Sequence, residues 1–216
     1  MQKGPQPCLP EAVTVGRHGA PALLDALAGE AAGRADAFGP QSLANTAWAF
    51  AKLQHGAPRL FDAIGDAACA RLGDFEDQGL STTAWAFAAA GHHAPRFFEA
   101  VGEHARDRID SFRPQHLANL AWAFAMADAR SDALFQGPEF ADACRWTQAR
   151  LIADNRSLVQ LNRWRLWRDK CCEAGHSWPT LPPPLLAACA EQAAWFGEHK
   201  AMLDSSGRRR EDRTQT

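Results

Sequence analysis

Two sets of residues in this chain carry groups that could hold a ligand. The first is the run Arg163-Trp164-Arg165-Leu166-Trp167-Arg168, which interleaves guanidinium and indole. Guanidinium pairs with phosphate and indole stacks on bases, so the mixture suits a single-stranded nucleic acid. A capping helix with its tryptophans inward and its arginines outward accounts for the same run. The second set recurs along the chain as Ser42, Asn45 and Lys52, then Thr82, then His116 and Asn119. Small polar side chains that vary on an otherwise fixed helix are what base reading requires. A solvated helix face, or capping by Asn and Thr, is the alternative. Two further groups speak weakly for a metal. Adjacent His92 and His93 point to different sides of a helix or turn, and Cys171, Cys172 and His176 lack a fourth ligand in register. There is no Gly-rich phosphate loop and no His-Glu-x-x-His. No catalytic residue, cofactor or metal is therefore expected.

A repeat positions these side chains. The stretch Leu43 to Phe50, LANTAWAF, returns as Leu80 to Phe87 (LSTTAWAF) and as Leu117 to Phe124 (LANLAWAF). Trp48, Trp85 and Trp122 stand 37 residues apart. A period of that size marks stacked supersecondary units. The spacing predicts one helix over about Gln41 to Gln54, a turn at His55-Gly56-Ala57, and a second helix over about Pro58 to Leu72. Proline suits the first turn of the second helix, because its missing N–H would be unpaired there anyway. On a helical wheel Leu43, Ala47, Phe50 and Leu53 share one side, and Ser42, Asn45, Ala49 and Lys52 form the stripe left over. Trp48, Phe50, Trp85, Phe87, Trp122 and Phe124 are read as packing residues between units. A base-stacking platform is the other reading of the tryptophans. Arg34, Arg71 and Arg108 recur at the same interval, suited to a helix C-terminus or to a ladder for phosphates.

The expected architecture is all-α, a right-handed α-solenoid of 37-residue helix-turn-helix repeats. Residues 1–18 are punctuated by Pro and Gly and are expected to be poorly ordered. The solenoid is expected over 19–178, beginning in a half-repeat marked by Gly19-Ala20-Pro21 and ending in an irregular unit. That unit contains a helix over about 139–153, then a last inner helix in which Leu158 follows Leu117 by 41 residues. A Pro-rich break and a helix over about Leu185 to Leu203, carrying Trp195 and Phe196, fill 179–204, and 205–216 read as a disordered tail.

Composition narrows the function classes. The chain has 216 residues, 46% of them hydrophobic, and a formal net charge of −2, so it is not a strongly basic nucleic-acid binder overall. The charge is divided: Gly19 to Ala129 holds eight Arg and Lys against thirteen Asp and Glu, while Arg145 to the end holds twelve against eight. The acidic repeats favour a scaffold that holds a protein partner, and the basic end favours phosphate. The six cysteines form no Cys-x-x-Cys and read as reduced thiols of an intracellular compartment. No run of about 18 apolar residues implies a membrane span. The first residues resemble neither a secretory signal nor a transit peptide, so a cytoplasmic protein or a fragment of a longer chain is expected.

The pairing of LANxAWAFAK-type helices with xAPxLFxAI-type helices resembles the octotricopeptide-type repeats of algal and protist organelle proteins. It is also similar to the helical region of FAST-kinase-like proteins and to the repeat domain named for the RNA-editing substrate-binding complex subunit six. Many such proteins end in a RAP domain; none is expected between the Pro-rich break and Thr216, so the chain is expected to be a repeat protein without that domain or a fragment of one with it. The resemblance covers Gly19 to Ala129 strongly and Ala133 to Trp167 weakly. It implies an α-solenoid that binds single-stranded RNA in a mitochondrion or plastid, with protein partners in a ribonucleoprotein complex and no membrane. It also implies that Asn45, Thr82 and Asn119 are inner-helix positions.

Overall fold

The structure is a computed structural model that describes residues 21–195. The expectations for 1–18, for Gly19 and Ala20, for Phe196 and the end of its helix, and for 205–216 lie outside the described residues. Among the described residues the chain is all-helical and has no strand. The helices are α1 (Pro21–Gly33), α2 (Pro40–Leu53), α3 (Pro58–Cys69), α4 (Asp77–Ala89), α5 (Pro95–Arg106) and α6 (Pro114–Ala127). They continue as α7 (Asp132–Phe135), α8 (Glu139–Trp146), α9 (Gln148–Ala153), α10 (Asn155–Glu173) and α11 (183–195).

Local chemistry sets these boundaries. Proline occupies the first turn of α2, α3, α5 and α6, where its fixed φ is already helical. The chain leaves the first helix of each unit through a left-handed residue: Gln54 at φ 52°, Gly91 at φ 65° and Asp128 at φ 49°. Only the second unit uses glycine at a position that favours it. The second helix of the unit is shorter than its pattern predicts. It ends at Cys69, and the chain then tightens into a 3-10 turn, Leu72–Asp74, repeated at Ile109–Ser111. The helix expected over 139–153 is divided at Thr147, whose hydroxyl donates to the carbonyl of Ala143 at 2.8 Å and competes with the helical ladder.

The helices contact one another in two series. In one, α2 packs on α4, α4 on α6 and α6 on α10; in the other, α1 packs on α3, α3 on α5 and α5 on α7. Alanines at 44, 47, 84, 118 and 121 let the backbones of the first series approach. A line of aromatic contacts fills the space between the series. Phe61 meets Phe87 at 5.1 Å, Phe87 meets Phe97 at 4.5 Å, Phe98 meets Phe124 at 5.2 Å and Phe124 meets Phe135 at 5.4 Å. Edge-to-face geometry recurs in this line, as the ring quadrupoles prefer. Each such ring contributes roughly 2–3 kcal/mol of burial before ordering entropy is charged.

Candidate nucleic-acid interface

Helix α2 buries Leu43, Ala44, Ala47, Phe50 and Ala51 against the core. Ser42, Asn45, Trp48 and Lys52 are left on its open side, Trp48 47% exposed. On α4 the same positions are the half-buried Thr82 and Trp85, and on α6 they are the half-buried His116, Asn119 and Trp122. The wheel reading assigned the tryptophans to packing and the polar stripe to a separate face. The structure brings them together, because residues three apart are neighbours on a helix surface. Trp85 and Trp122 do pack between units, their rings stacked at 5.7 Å and 23°, while still sharing the open face. Phe50, Phe87 and Phe124 lie in the core.

The polar groups of this face differ in what already holds them. Asn45 is exposed. Asn119 accepts at Oδ1 from Gln160 Nε2 of α10 at 2.8 Å, so α10 uses part of its capacity. Beside Thr82, the buried Thr83 donates to the carbonyl of Gly79 at 2.8 Å. His116 has a buried Nδ1 without a partner. Desolvation holds its imidazole below the ordinary value of 6.5, with Arg113 adding to the effect and Asp77 opposing it.

Helix α10 separates the six residues of the Arg-Trp run. Trp164 is buried against Phe140 at 5.0 Å and Phe135 at 5.3 Å. Trp167 is buried too and donates from Nε1 to Asp128 Oδ1 at 2.7 Å. Neither indole is open to a base. Arg165 binds Asn162 Oδ1 and Asp169 Oδ2, the latter at 3.4 Å, and Arg168 binds Asp169 and the carbonyl of Trp178. Arg163 is exposed, with Nε on the sulfur of Met126 at 3.2 Å. Among the described residues Arg165 and Arg168 share their charge with Asp169 and Arg163 pairs with no carboxylate; Arg163 lies next to the end of the α6 stripe.

Two recurring contacts escaped the sequence reading. Arg71 donates to the carbonyl of Phe38 at 2.8 Å, and Arg108 to that of Phe75 at 3.3 Å and to Asp77 at 2.9 Å. These arginines staple one unit to the next instead of standing free for phosphates. His55 meets Asp25 at 2.8 Å and His92 meets Asp62 at 3.0 Å, each pair 30 residues apart. The signal was present, since His and Asp each recur at the 37-residue interval. His92 also stacks on Phe61 at 5.5 Å. Cys171 is buried, and His176 meets Asp132 at 3.2 Å. Among the described residues no group of three or more His, Cys, Asp or Glu is placed to hold a metal ion, and no helix is long and apolar enough to cross a membrane. Compared with known proteins, the chain matches no family model and no curated protein.

Proposed function

We propose that this chain is a non-enzymatic RNA-binding protein, a right-handed α-solenoid of 37-residue units whose first helices line the RNA-binding face. It acts in organellar RNA processing, stability or translation, in a mitochondrion rather than a plastid, within a ribonucleoprotein complex. One observation carries the reading: Asn45, Thr82 and Asn119 share a single face with Trp48, Trp85 and Trp122. Indoles offer a sequence-tolerant stacking surface and the adjacent amide and hydroxyl groups reach base edges. Lys52 and Arg163 supply the cations at its two ends. So few positive charges predict weak salt dependence, with a slope of about −0.7 per neutralised phosphate on a single strand.

A protein–protein scaffold using the same face is the second reading. The acidic balance of Gly19 to Ala129, eight basic against thirteen acidic residues, favours it. Fluorescence anisotropy with a labelled single-stranded RNA pool, across a salt series, separates the two. RNA binding predicts a measurable Kd that Trp48→Ala weakens by roughly 5- to 150-fold, from about 1–3 kcal/mol of lost stacking, with the salt slope unchanged. No binding at low salt refutes it and leaves the scaffold.

A further inference from the structure

The two ends of the helical stack expose residues whose counterparts inside it are covered. Leu23 and Leu27 of α1 are 59% and 51% exposed, whereas Leu60 and Ile64, their equivalents on α3, are 1% and 0%. Phe97 and Val101 on α5 are as deeply buried. Helix α3 packs on both α1 and α2. Helix α2 repeats the pattern. Thr46 and Ala49 are half-buried, while Thr83, Leu120, Ala86 and Ala123 at the same positions are buried.

At the far end, α10 is the last helix of the series α2, α4, α6 and α10. With the offset of 41 residues, Val159 stands where Ala118 does and Leu166 where Ala125 does. Ala44, Ser81 and Ala118 are buried, but Val159 is 43% and Leu166 46% exposed. These two residues alternate with Arg156, Arg163 and Lys170 along one exposed stripe of α10, at spacings of three and four. None of the three cations makes an ion pair among the described residues. On α1, Asp25 and Glu30 are exposed, Asp25 beside His55 at 2.8 Å and Glu30 beside Arg34 at 3.6 Å.

We infer that the chain self-associates head to tail: the α1–α2 end of one copy docks on the α10 stripe of a second. The contact continues the internal unit-to-unit interface, apolar on apolar, with Arg156 and Lys170 facing Asp25 and Glu30. Because the two patches differ, the interface is heterologous and propagates instead of closing as a two-fold dimer. Opposite charges at the rim make it weaken with salt.

Sedimentation velocity of the full chain over a concentration series, without RNA, tests this. The expected result is a mass rising above the 23.6 kDa of one copy and falling back at high salt. Leu23→Lys/Leu27→Lys and Val159→Glu/Leu166→Glu should each abolish self-association, with circular dichroism unchanged because the replaced side chains are exposed. Mixed together, the two variants should form a 1:1 complex that grows no further, since one keeps its tail and the other its head. A wild-type chain that stays monomeric throughout overturns the inference. So does continued self-association of the α10 variant, which would mark a symmetric contact between leading ends, or a mixture of the variants that stays monomeric.

Discussion

Replacing Gly102 by alanine should destabilise the protein, and the structure says through which atoms. Gly102 is buried on α5. A Cβ there would lie 2.2 Å from Ser131 Oγ, 3.1 Å from Ser131 Cβ and 3.6 Å from Phe124 Cζ. Ser131 cannot simply turn away, because its hydroxyl accepts from the N–H of Leu134 at 3.3 Å and caps α7. Losing that cap costs about 1 kcal/mol, and the overpacking costs about 1–3 kcal/mol. Alanine returns about 1 kcal/mol of helix propensity. The net loss is about 1–3 kcal/mol, a fall in Tm of roughly 2–12 °C for a chain of this size. In a Ser131→Gly background both nearest atoms are gone and Gly102→Ala should become neutral or stabilising, a coupling of about 2 kcal/mol. Gly65, at the equivalent position on α3, is the control: its Cβ would meet Phe87 at 3.5 Å, an ordinary contact, and Gly65→Ala should be tolerated. Thermal melts of the four variants in the cycle and of the control decide the matter. Equal losses for Gly102→Ala in both backgrounds would falsify the packing of α7 on α5 described above.

Other outcomes follow from single contacts. Asn119→Ala should lower stability by about 1–3 kcal/mol, because Gln160 Nε2 loses its acceptor in a part-buried setting, while the exposed Asn45→Ala should leave Tm unchanged. Gln54→Gly should raise Tm by about 1–2 °C, since Gln54 holds φ 52° where Gly91 serves in the next unit. His116, held below 6.5 by desolvation, takes up a proton less readily folded than unfolded. As pH falls through 6.5 the unfolded chain binds that proton first, so stability drops there and levels off below the folded value. The fall in Tm between about pH 7.5 and about pH 5 should therefore be smaller in His116→Gln than in wild type. Burial raises the Cys144 thiol strongly and pushes Cys189 up to about 11, so mass spectrometry after iodoacetamide at pH near 8 should find both unmodified in the native state.

What the sequence made legible was the helical character and the division into short helices, because the alternation of LxxxAxxF faces with proline-started helices is a local signal. Exact ends were not legible where long-range contacts decide them: Arg71 reaches the carbonyl of Phe38, and α3 stops at Cys69. The site divided similarly. Asn45 and Lys52 could be placed on an open face from the wheel alone. That Trp85 and Trp122 stack on that face depends on the separation of α4 and α6, which no single-helix projection contains. The Arg-Trp run left two readings open, a ligand site and a helix with its tryptophans inward, for the same reason. Its composition is that of a ligand site, yet Phe135, Phe140 and Asp128, distant in sequence, take both indoles into the core. The His55–Asp25 and His92–Asp62 pairs are the opposite case, a periodic signal carried by polar residues that a pattern of apolar residues does not reveal.

The most direct measurement of the central claim is ultraviolet crosslinking of single-stranded RNA to the full chain, with the crosslinked peptides identified by mass spectrometry. The account predicts adducts at Trp48, Trp85 and Trp122, with Arg163 protected from modification in the same complex. Adducts confined to His93 and Arg96, or RNA that leaves all three tryptophans unmarked, would contradict it.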